Sequence, residues 1–525
     1  MTLKTTYQLF PGAAGNSERN FYEGPGRMSS RFSNELEEWC NDLERLITEV
    51  LELKATGYLN DYDFSVQQLI ATLNEAAAKG MPYALNKLGV LYETGILVTD
   101  EPDLKQAIAY YEQAAALDFP EAIYRAGCFY RYGLTGEINL EKALHYFEKG
   151  GQLNFPHCLT ELAIVYEDGT VDKDYRKSFD YFHKAARLGH SFAIHMVGDY
   201  LENGRHNGSA DFAAAFSWYL NGAEMGDPDC NYAVGRYYRL GIAVEETPDL
   251  ALKYFRLSAE GGSPQAMVEL GLCHEYEYGV PFNVQKAFDY MQQAATLGYY
   301  YGQYKLGYYY MHGLIQTDTQ KGLHWFEKSS ESGFPMAFLE IGDYYLYDYD
   351  EIDQAEKAFD NYQKALKEGY SHQGLGICYE FGIGVEENAA TAFSYYEIAA
   401  SRGYLKGVYH TAKCYLNGIG VKANDQRAFR YFQEAAQRDD VASKFHTGLM
   451  LLKGKGTSTA KDEGLRWLNM AADEGYAEAL FELGNYYLMG DGVEEDEELA
   501  MSYFESAADQ GHQKAMKLTG RKMPK

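Results

Sequence analysis

The chain repeats itself at a nearly constant interval. Segments such as AIAYYEQAAALD, SFDYFHKAARLG, AFDYMQQAATLG and AMSYFESAADQG recur along it, and each ends at a residue that is usually glycine. These end residues are, in order, Gly80, Asp118, Asn154, Gly189, Gly226, Gly262, Gly298, Gly333, Gly369, Gly403, Asp439, Gly475 and Gly511. Successive members lie 34 to 38 residues apart, about 36 on average. Because a fixed period of this length is typical of stacked repeats, it constrains the fold more than any other feature.

The first half of each unit predicts a helix with small residues at a fixed place. We number positions from the end residue of the preceding unit, so that position 1 is the residue after it. Position 9 is occupied by Gly89, Gly127, Ala163, Gly198, Gly235, Gly271, Gly307, Gly342, Ala412, Gly448 and Gly484, and Gly376 comes two residues early in its unit. Glycine costs a helix about 1 kcal/mol relative to alanine, so its recurrence indicates a close approach between helices. Position 12 is usually Tyr, and a glycine then ends the helix.

The second half of each unit predicts another helix. A small residue such as Ala107 or Ala428 stands eleven residues before the end residue, followed by an aromatic pair such as Tyr110–Tyr111 and an Ala–Ala type pair such as Ala435–Ala436. One such hairpin cannot bury its own apolar face, whereas stacked neighbours can. The expected fold is therefore all-α, an α/α superhelical solenoid of about twelve helix–turn–helix repeats with a period near 36 residues.

The pattern A-x-x-x-L-G-x-x-Y-x-x-G-x-G-V, followed by K-A-x-x-Y-F-x-x-A-A-x-x-G, resembles the Sel-1-like repeat family. Clear copies occupy 404–439 and 476–511, and the resemblance covers about 81–511 as twelve units. Tetratricopeptide repeats are related in physical design, but their period is 34 and they lack the G-x-G-V loop. The resemblance implies a helical adaptor that serves signalling, complex assembly, envelope processes or host contact, and a few relatives are weak hydrolases of β-lactam or cell-wall substrates.

The ends of the chain depart from the pattern. Residues 1–33 are rich in Gly, Ser, Asn and Pro and predict a flexible or extended leader. Residues 34–80 predict a degenerate capping hairpin, with one helix from Asn34 to Leu59 and another from Phe64 to Lys79. Residues 512–525 begin a further first helix and predict a C-terminal cap. Within the array, the unit 334–369 has Asp348 in place of its loop glycine, and the unit 370–403 lacks two residues at its start.

Charge restricts the class of partner. The chain carries 47 Lys and Arg residues against 76 Asp and Glu residues, a net charge of −29. A field of this sign repels phosphate backbones and attracts basic protein surfaces, so we expect a protein or peptide partner of basic character and no nucleic acid. No apolar run is long enough to insert into a membrane, and the N-terminus resembles no export signal. Seven cysteines without a C-x-x-C pair are typical of a reducing compartment, which predicts a cytoplasmic location.

The sequence carries no catalytic motif of the kinds that mark hydrolases, nucleotide-binding loops or zinc proteases. The string GKGTST at 454–459 occupies the inter-helix loop of its unit, and no strand precedes it. Cys158 and Cys230 fall where other units have alanine, which indicates packing residues. His274 occupies an aromatic packing position, and the histidines show no metal-ligand spacing. We therefore expect neither a cofactor nor a metal, and we predict that the protein is not an enzyme.

A stripe on the first helices of the middle units predicts a binding surface. Positions 3, 7, 10 and 14 avoid the packing positions, and first helices usually line the concave wall of such solenoids. The candidate binding residues on this stripe are Glu269, Tyr276, Tyr301, Lys305, Tyr308, His312, Glu340, Asp343 and Tyr347. Tyr is enriched at interfaces because it offers a large contact area at low entropic cost. The alternative is that these tyrosines fill the seams between repeats.

The favoured function is a non-enzymatic scaffold or adaptor that binds a protein or peptide in the concave groove. Two alternatives stay open: an immunity or inhibitor protein that neutralises a toxin, and a weak hydrolase of the cell-wall or β-lactam type. Neither the oligomeric state nor the partner's identity follows from the sequence.

Overall fold

The computed structural model describes residues 59–95, 101–347, 352–367, 369–370 and 372–520. Those ranges contain 26 α-helices and no strand, which confirms the expected all-α repeat fold of the solenoid class. The chain divides between Met225 and Gly226 into two compact units. None of the helices in the described ranges is long and apolar enough to cross a membrane.

The helices follow one another in pairs, one pair per repeat, after a longer N-terminal helix. They are α1 (Leu59–Ala78), α2 (Pro82–Thr94), α3 (Leu104–Ala116), α4 (Pro120–Tyr132), α5 (Leu140–Gln152), α6 (Pro156–Asp168), α7 (Tyr175–Arg187), α8 (Ser191–Asn203), α9 (Phe212–Glu224), α10 (Pro228–Leu240), α11 (Pro248–Glu260), α12 (Pro264–Glu275), α13 (Val284–Thr296), α14 (Tyr300–Met311), α15 (Thr319–Glu331), α16 (Pro335–Tyr347), α17 (Ile352–Leu366), α18 (His372–Phe381), α19 (Ala389–Ser401), α20 (Leu405–Asn417), α21 (Asp425–Gln437), α22 (Val441–Lys453), α23 (Lys461–Asp473), α24 (Ala477–Met489), α25 (Glu497–Asp509) and α26 (Gln513–Leu518).

The end residues that define the period are the left-handed turns between repeats. All thirteen have positive φ, including the three that are not glycine: Asp118 (59°), Asn154 (57°) and Asp439 (74°). Asn and Asp are the side chains that tolerate this region best, because their short polar groups bond locally. The period read from the sequence is therefore a series of backbone turns that ordinary side chains disfavour.

Helix starts are marked by two different signals. Most second helices follow an Asp or Asn whose side chain accepts a backbone N–H, as Asp103 does from Gln106 and Asn139 from Lys142, each at 3.0 Å. Such caps satisfy donors that the helix leaves free. Several first helices instead begin with proline at the first turn, where a missing N–H costs nothing. These prolines are Pro82, Pro120, Pro156, Pro228 and Pro264.

The core of most repeats is an aromatic ring of the second helix packed on the small position 9 residue of the first, usually glycine; Met291 and Leu468 replace the ring in two repeats. A Cβ atom placed on Gly307 would lie 2.7 Å from Cδ1 of Phe326, and one on Gly235 would lie 2.6 Å from Phe255. The rings in this place are at most 2% exposed: Tyr111, Phe147, Phe182, Tyr219, Phe255, Phe326, Tyr362, Tyr396, Phe432 and Phe504. The close helix approach predicted from the recurrent glycine is thus present.

The tyrosine at position 12 stacks on the first member of the aromatic pair in its own repeat. The ring centroids lie 5.5 to 6.2 Å apart and the planes within 21° in Tyr92–Tyr110, Tyr130–Tyr146, Tyr166–Tyr181, Tyr238–Tyr254, His274–Tyr290, Tyr379–Tyr395, Tyr415–Tyr431 and Tyr487–Tyr503. His274 takes the place of a tyrosine, as predicted. A cation from the start of the second helix often covers the stack, as Lys142 does 4.6 Å from the centre of Tyr130. These tyrosines therefore serve structure.

The two ends are only partly described. The described part of helix α1 runs from Leu59 and includes the predicted start at Phe64. The predicted leader at 1–33 and the predicted helix from Asn34 lie outside the described residues, as does Asp348. The predicted C-terminal cap contains α26, which ends at Leu518, while residues 521–525 also lie outside.

Candidate interaction surface on the first helices

The predicted stripe runs over the first helices of three successive repeats, α12, α14 and α16. The structure separates its residues into two groups. Those at positions 3 and 7 contact neighbouring repeats, and those at positions 10 and 14 are more exposed. The expectation of one continuous exposed stripe is therefore wrong for its first two rows.

At position 3, Tyr301 is half-buried in an aromatic group. Its ring centroid lies 6.0 Å from that of Tyr304 and 6.0 Å from that of Phe334, in an edge-to-face arrangement with the latter. Burial raises the pKa of the Tyr301 hydroxyl. The Tyr304 hydroxyl donates to Glu340 of the following repeat at 3.3 Å. The surroundings of Tyr301 therefore fit the alternative interpretation, in which its side chain fills the seam between repeats.

At position 7, charged side chains link consecutive repeats. Lys305 is only 7% exposed, and its Nζ lies 2.8 Å from Oε1 of Glu275, at position 13 of the preceding repeat. The other oxygen of Glu275 accepts a 2.8 Å hydrogen bond from Tyr309. Glu269 pairs in the same way with Arg239 of the repeat before, and burial raises the pKa of the Glu269 carboxyl while Arg239 opposes that rise. Lys305 was expected on the exposed stripe, and that expectation is wrong, because pairing with Glu275 draws it into the seam.

The same pairing, between position 13 of one repeat and position 7 of the next, occurs near the start of the array. Glu93 at position 13 pairs with Arg125 at position 7 of the next repeat at 3.0 Å, and Arg131 pairs with Glu161 in the repeat after. The sign of the position 13 residue reverses between the adjacent junctions of Glu93 and Arg131, and again between those of Arg239 and Glu275. Removing one member of a buried pair leaves a costly unpaired charge, so these pairs act as links between repeats. We name them the junction pairs: Glu93–Arg125, Arg131–Glu161, Arg239–Glu269 and Glu275–Lys305.

Position 14 carries the most exposed candidates. Tyr276 follows the last residue of α12 and is 69% exposed, and His312 is exposed at the equivalent place after α14. The hydroxyls of Tyr301 and Tyr308 interact electrostatically with that of Tyr276. Partial burial is the main reason that the pKa of the Tyr276 hydroxyl is raised, and the neighbouring Glu275 raises it further.

At position 10, the side chains are held by neighbours on one side. Tyr308 is half-buried against Leu323, Phe326 and Ile341, and its ring centroid lies 4.1 Å from that of His312. Asp343 accepts a 2.5 Å hydrogen bond from the hydroxyl of Tyr362. Tyr347 ends α16, and its side chain lies outside the described residues. The structure thus brings Tyr276, Tyr308 and His312 together as the accessible part of the predicted site.

The repeat register agrees with a family model over most of the chain. The model described as Sel1 repeat matches twelve segments: 82–119, 120–155, 156–190, 191–227, 228–263, 264–299, 301–334, 337–370, 371–404, 406–440, 441–476 and 477–512. The chain belongs to the Sel1 repeat family. The twelve units predicted from the sequence are confirmed, as is the resemblance that suggested them.

A Sel1 repeat protein of known structure shares the fold. A protective antigen from uropathogenic Escherichia coli strains, which displays an SLR fold, superposes with a TM-score of 0.52 at 25% identity and covers 86% of this chain and 89% of its own. A Sel1 repeat protein from Oxalobacter formigenes is 27% identical with a TM-score of 0.42, over 48% of this chain and 99% of its own.

Among curated relatives, Activator of C kinase protein 1 of Saccharomyces cerevisiae is 30% identical over 283 residues, which is 45% of this chain and 44% of that protein. Chitin synthase regulatory factor 3 of Schizosaccharomyces pombe is 26% identical over 246 residues, 45% of this chain and 26% of that protein. The chain thus spans less than half the length of these two relatives. Sel1 repeat proteins are generally protein-interaction scaffolds.

The Sel1 register also identifies site residues that the sequence analysis missed. Position 14 holds Leu240 in the repeat before Tyr276, and Phe381 holds the equivalent place in the repeat that lacks two residues. Leu240 is 52% exposed and Phe381 is 62% exposed. We name Leu240, Tyr276, His312 and Phe381 the position 14 row. The sequence contained the signal for both residues, because extending the stripe by one repeat in each direction finds them.

In the described ranges, no group of three or more His, Cys, Asp or Glu side chains is arranged to hold a metal ion. The six described cysteines are free and buried: Cys128, Cys158, Cys230, Cys273, Cys378 and Cys414. Burial raises the pKa of the Cys273 thiol to about 11 and that of Cys378 to about 12, which keeps both protonated at neutral pH. Cys40 lies outside the described residues.

Proposed function

We propose that this Sel1 repeat protein is a non-enzymatic scaffold that binds a protein or peptide on the exposed part of its first helices. Leu240, Tyr276 and His312, in three successive repeats, supply the contact, with Tyr308 beside Tyr276 and His312. The observation that carries this proposal is the position 14 row, in which large apolar or aromatic side chains face solvent at one place of the repeat.

Physical reasoning supports this role for the row. Scattered exposed apolar residues are ordinary on any protein surface, whereas a contiguous patch with a polar rim is typical of an interaction site. Tyr276 is 69% exposed, so its side chain contributes little to folding and is free to bury area against a partner. Asp343 and the partly exposed Glu275 provide a polar rim.

The relatives support a regulatory or adaptor class. Their printed names describe an activator of a kinase and a regulator of a synthase, and these names favour a scaffold over the toxin-neutralising and hydrolase alternatives. The net charge of −29 favours a partner with a basic surface, by long-range attraction. Six buried free thiols support a reducing, cytoplasmic setting as part of the proposal.

Partner capture by a doubly substituted chain tests the proposal. Tyr276→Ala combined with Leu240→Ala removes two exposed side chains from the row. We expect capture of partners from native lysate, quantified by mass spectrometry, to fall by about tenfold, because exposed aromatic and aliphatic anchors carry much of an interface's affinity. The melting temperature is expected to stay close to that of the unmodified chain.

A matched control uses two exposed leucines of the same two repeats. Leu257 and Leu297 are 41% and 57% exposed but belong to the second helix and the turn that follows it. Leu257→Ala combined with Leu297→Ala removes comparable apolar area away from the row and should leave capture unchanged. Equal losses in both double variants, or no loss in the first, would refute the proposed surface.

A further inference from the structure

Two consecutive first helices of this acidic chain contain lysines and no carboxylate. Helix α20 (Leu405–Asn417) carries Lys406 and Lys413, and helix α22 (Val441–Lys453) carries Lys444 and Lys453. Among the first helices of the twelve repeats, α14 alone shares this composition, and its Lys305 is buried against Glu275. The net charge of −29 therefore does not describe the surface of α20 and α22.

Three of these four lysines have no carboxylate within ion-pair distance among the described side chains. Lys444 is only 2% exposed and lies between Asp439 and Glu474, so it is used within the fold. Lys406 and Lys453 are exposed, and Lys413 is half-buried with its ammonium 5.7 Å from the ring centre of Tyr409. None of these last three forms an ion pair with a described carboxylate. Lys453 occupies position 14, in line with the row that contains Phe381.

The side chains between these lysines are uncharged at neutral pH. The ring of His410 stacks on Tyr396 at 4.6 Å, and that of His446 stacks on Phe432 at 4.5 Å. Burial, assisted by Lys413 and Lys406, lowers the pKa of His410 to about 4. Burial and Lys413 likewise lower the pKa of His446 to about 4. Both imidazoles are neutral above that pH, so the positive charge of this surface comes from the lysines alone.

Four carboxylates lie within electrostatic reach of this surface, and one of them, Glu380, interacts with Cys414 of α20 and accepts a hydrogen bond from Tyr396. Asp343 interacts with Lys406, Asp440 interacts with His446, and Asp440 and Glu478 both interact with the hydroxyl of Tyr409. Asp440 is held by its cap of α22, where its side chain accepts the N–H of Ser443 at 2.8 Å. Lys406 and Lys413 thus have acidic groups nearby but form no ion pair with them.

We propose that the face of α20 that carries Lys406 and Lys413, seven residues apart, binds an acidic segment of a protein partner. The proposal rests on the proposed scaffold function and names the chemistry of one part of the partner. Phe381, on the repeat that precedes α20, is 62% exposed and offers an apolar contact. This segment has the opposite sign to the partner surface that the net charge favours.

Screening explains how the two signs coexist on one chain. At physiological ionic strength, charges more than about 8 Å apart are largely screened, so a bound segment responds to the lysines it touches. Nucleic acid is disfavoured, because a long polyanion would also run along the acidic remainder of the chain. A short peptide with a few carboxylates can stay within the lysine surface.

The test uses the purified full chain and dye-labelled peptides in fluorescence anisotropy. One peptide alternates glutamate with phenylalanine, and a second replaces each glutamate with lysine. We expect the glutamate peptide to bind more tightly, with an affinity that falls as salt is added. Lys406→Gln combined with Lys413→Gln should weaken its binding by about tenfold.

A control with the same change in charge comes from the same repeat. Lys422 and Arg430 are exposed on the inter-helix loop and the second helix, so Lys422→Gln combined with Arg430→Gln should alter binding by less than about twofold. Tighter binding of the lysine peptide, tighter binding of a single-stranded oligonucleotide, or equal losses in both double variants would overturn the inference. If Leu240→Ala and Tyr276→Ala still abolish partner capture in that case, the scaffold function stands and only the acidic segment is rejected.

Discussion

The glycine at position 9 shows how a single missing methyl group sets the distance between helices. In α14, the face of Gly307 is covered by Phe326 and by the carbonyl oxygen of Gly322, which would lie 3.0 Å from an added Cβ. The ring itself is fully buried, so it has nowhere to move. Close packing of this kind transmits a small change in volume directly to the neighbouring helix.

Gly307→Ala should therefore destabilise the protein by about 1–3 kcal/mol, although alanine normally favours a helix over glycine. Thermal or urea unfolding followed by circular dichroism measures the difference. Gly151→Ala is the control, because an added Cβ there would meet only the ends of Leu159 and Leu162, at 3.3 Å. A stabilising Gly307→Ala would show that the helices separate without cost and that the packing role is wrong. Ala435→Leu, at a fully buried site, should be destabilising for the same reason.

Single residues also mark the limit of prediction from sequence. The packing positions were predictable, because similar residue types recur in the same place in most units. The burial of Lys305 was not predictable, because a lysine on a stripe that looks exposed is buried only when a partner such as Glu275 of the preceding repeat faces it. Such a pairing depends on side-chain directions across a junction, which one unit's pattern does not contain. Leu240 and Phe381 were missed for another reason, because the stripe was taken over too few repeats.

At the scale of a helix pair, the left-handed turn decides where one repeat ends. Three of the thirteen turns use Asp or Asn, and a side chain in this conformation costs roughly 1–2 kcal/mol that glycine avoids. The turn positions were predictable because glycine and Asn or Asp share this conformational tolerance. The helix starts follow from the caps and prolines around them, which were not needed to find the period.

Asn154 offers a clean test of the turn. Asn154→Gly is expected to stabilise the protein slightly, by up to about 1 kcal/mol, since it relieves a φ of 57°. Asn154→Val should destabilise it by about 1–2 kcal/mol, because a β-branched side chain clashes in the left-handed region. Urea unfolding midpoints compare the two. If both substitutions had the same effect, the turn would not depend on this backbone conformation.

At the scale of the whole molecule, stability of such an array is approximately the sum of its repeats and their junctions. The junction pairs make these junctions unequal. Removing residues 263–298 deletes one period and, if the register is kept, places Arg239 opposite Lys305, where Glu269 and Glu275 had stood. Removing residues 440–475 also deletes one period but places Leu416 opposite Glu482, where Leu452 now stands.

We expect the first deletion to lower the melting temperature markedly more than the second, because two like charges are brought together in a partly buried seam. Arg239→Glu made in the first deletion variant, with Lys305 unchanged, restores opposite charges. This substitution should recover part of the lost melting temperature. Circular dichroism melting curves of the three chains measure this. A rescue that fails would show that the junction pairs do not determine which repeats fit together.

The alternation of charge at these junctions also bears on how a repeat gene can change. Tandem repeats are readily copied or lost when misaligned strands recombine, and most repeat arrays can absorb such events because their units are interchangeable. Here the loss of residues 119–154 would place Glu93 opposite Glu161, and the loss of residues 263–298 would place Arg239 opposite Lys305, so each loss brings like charges together. The ion pairs thereby disfavour the loss of these two units, and with it a change in the spacing of the surfaces on either side of them.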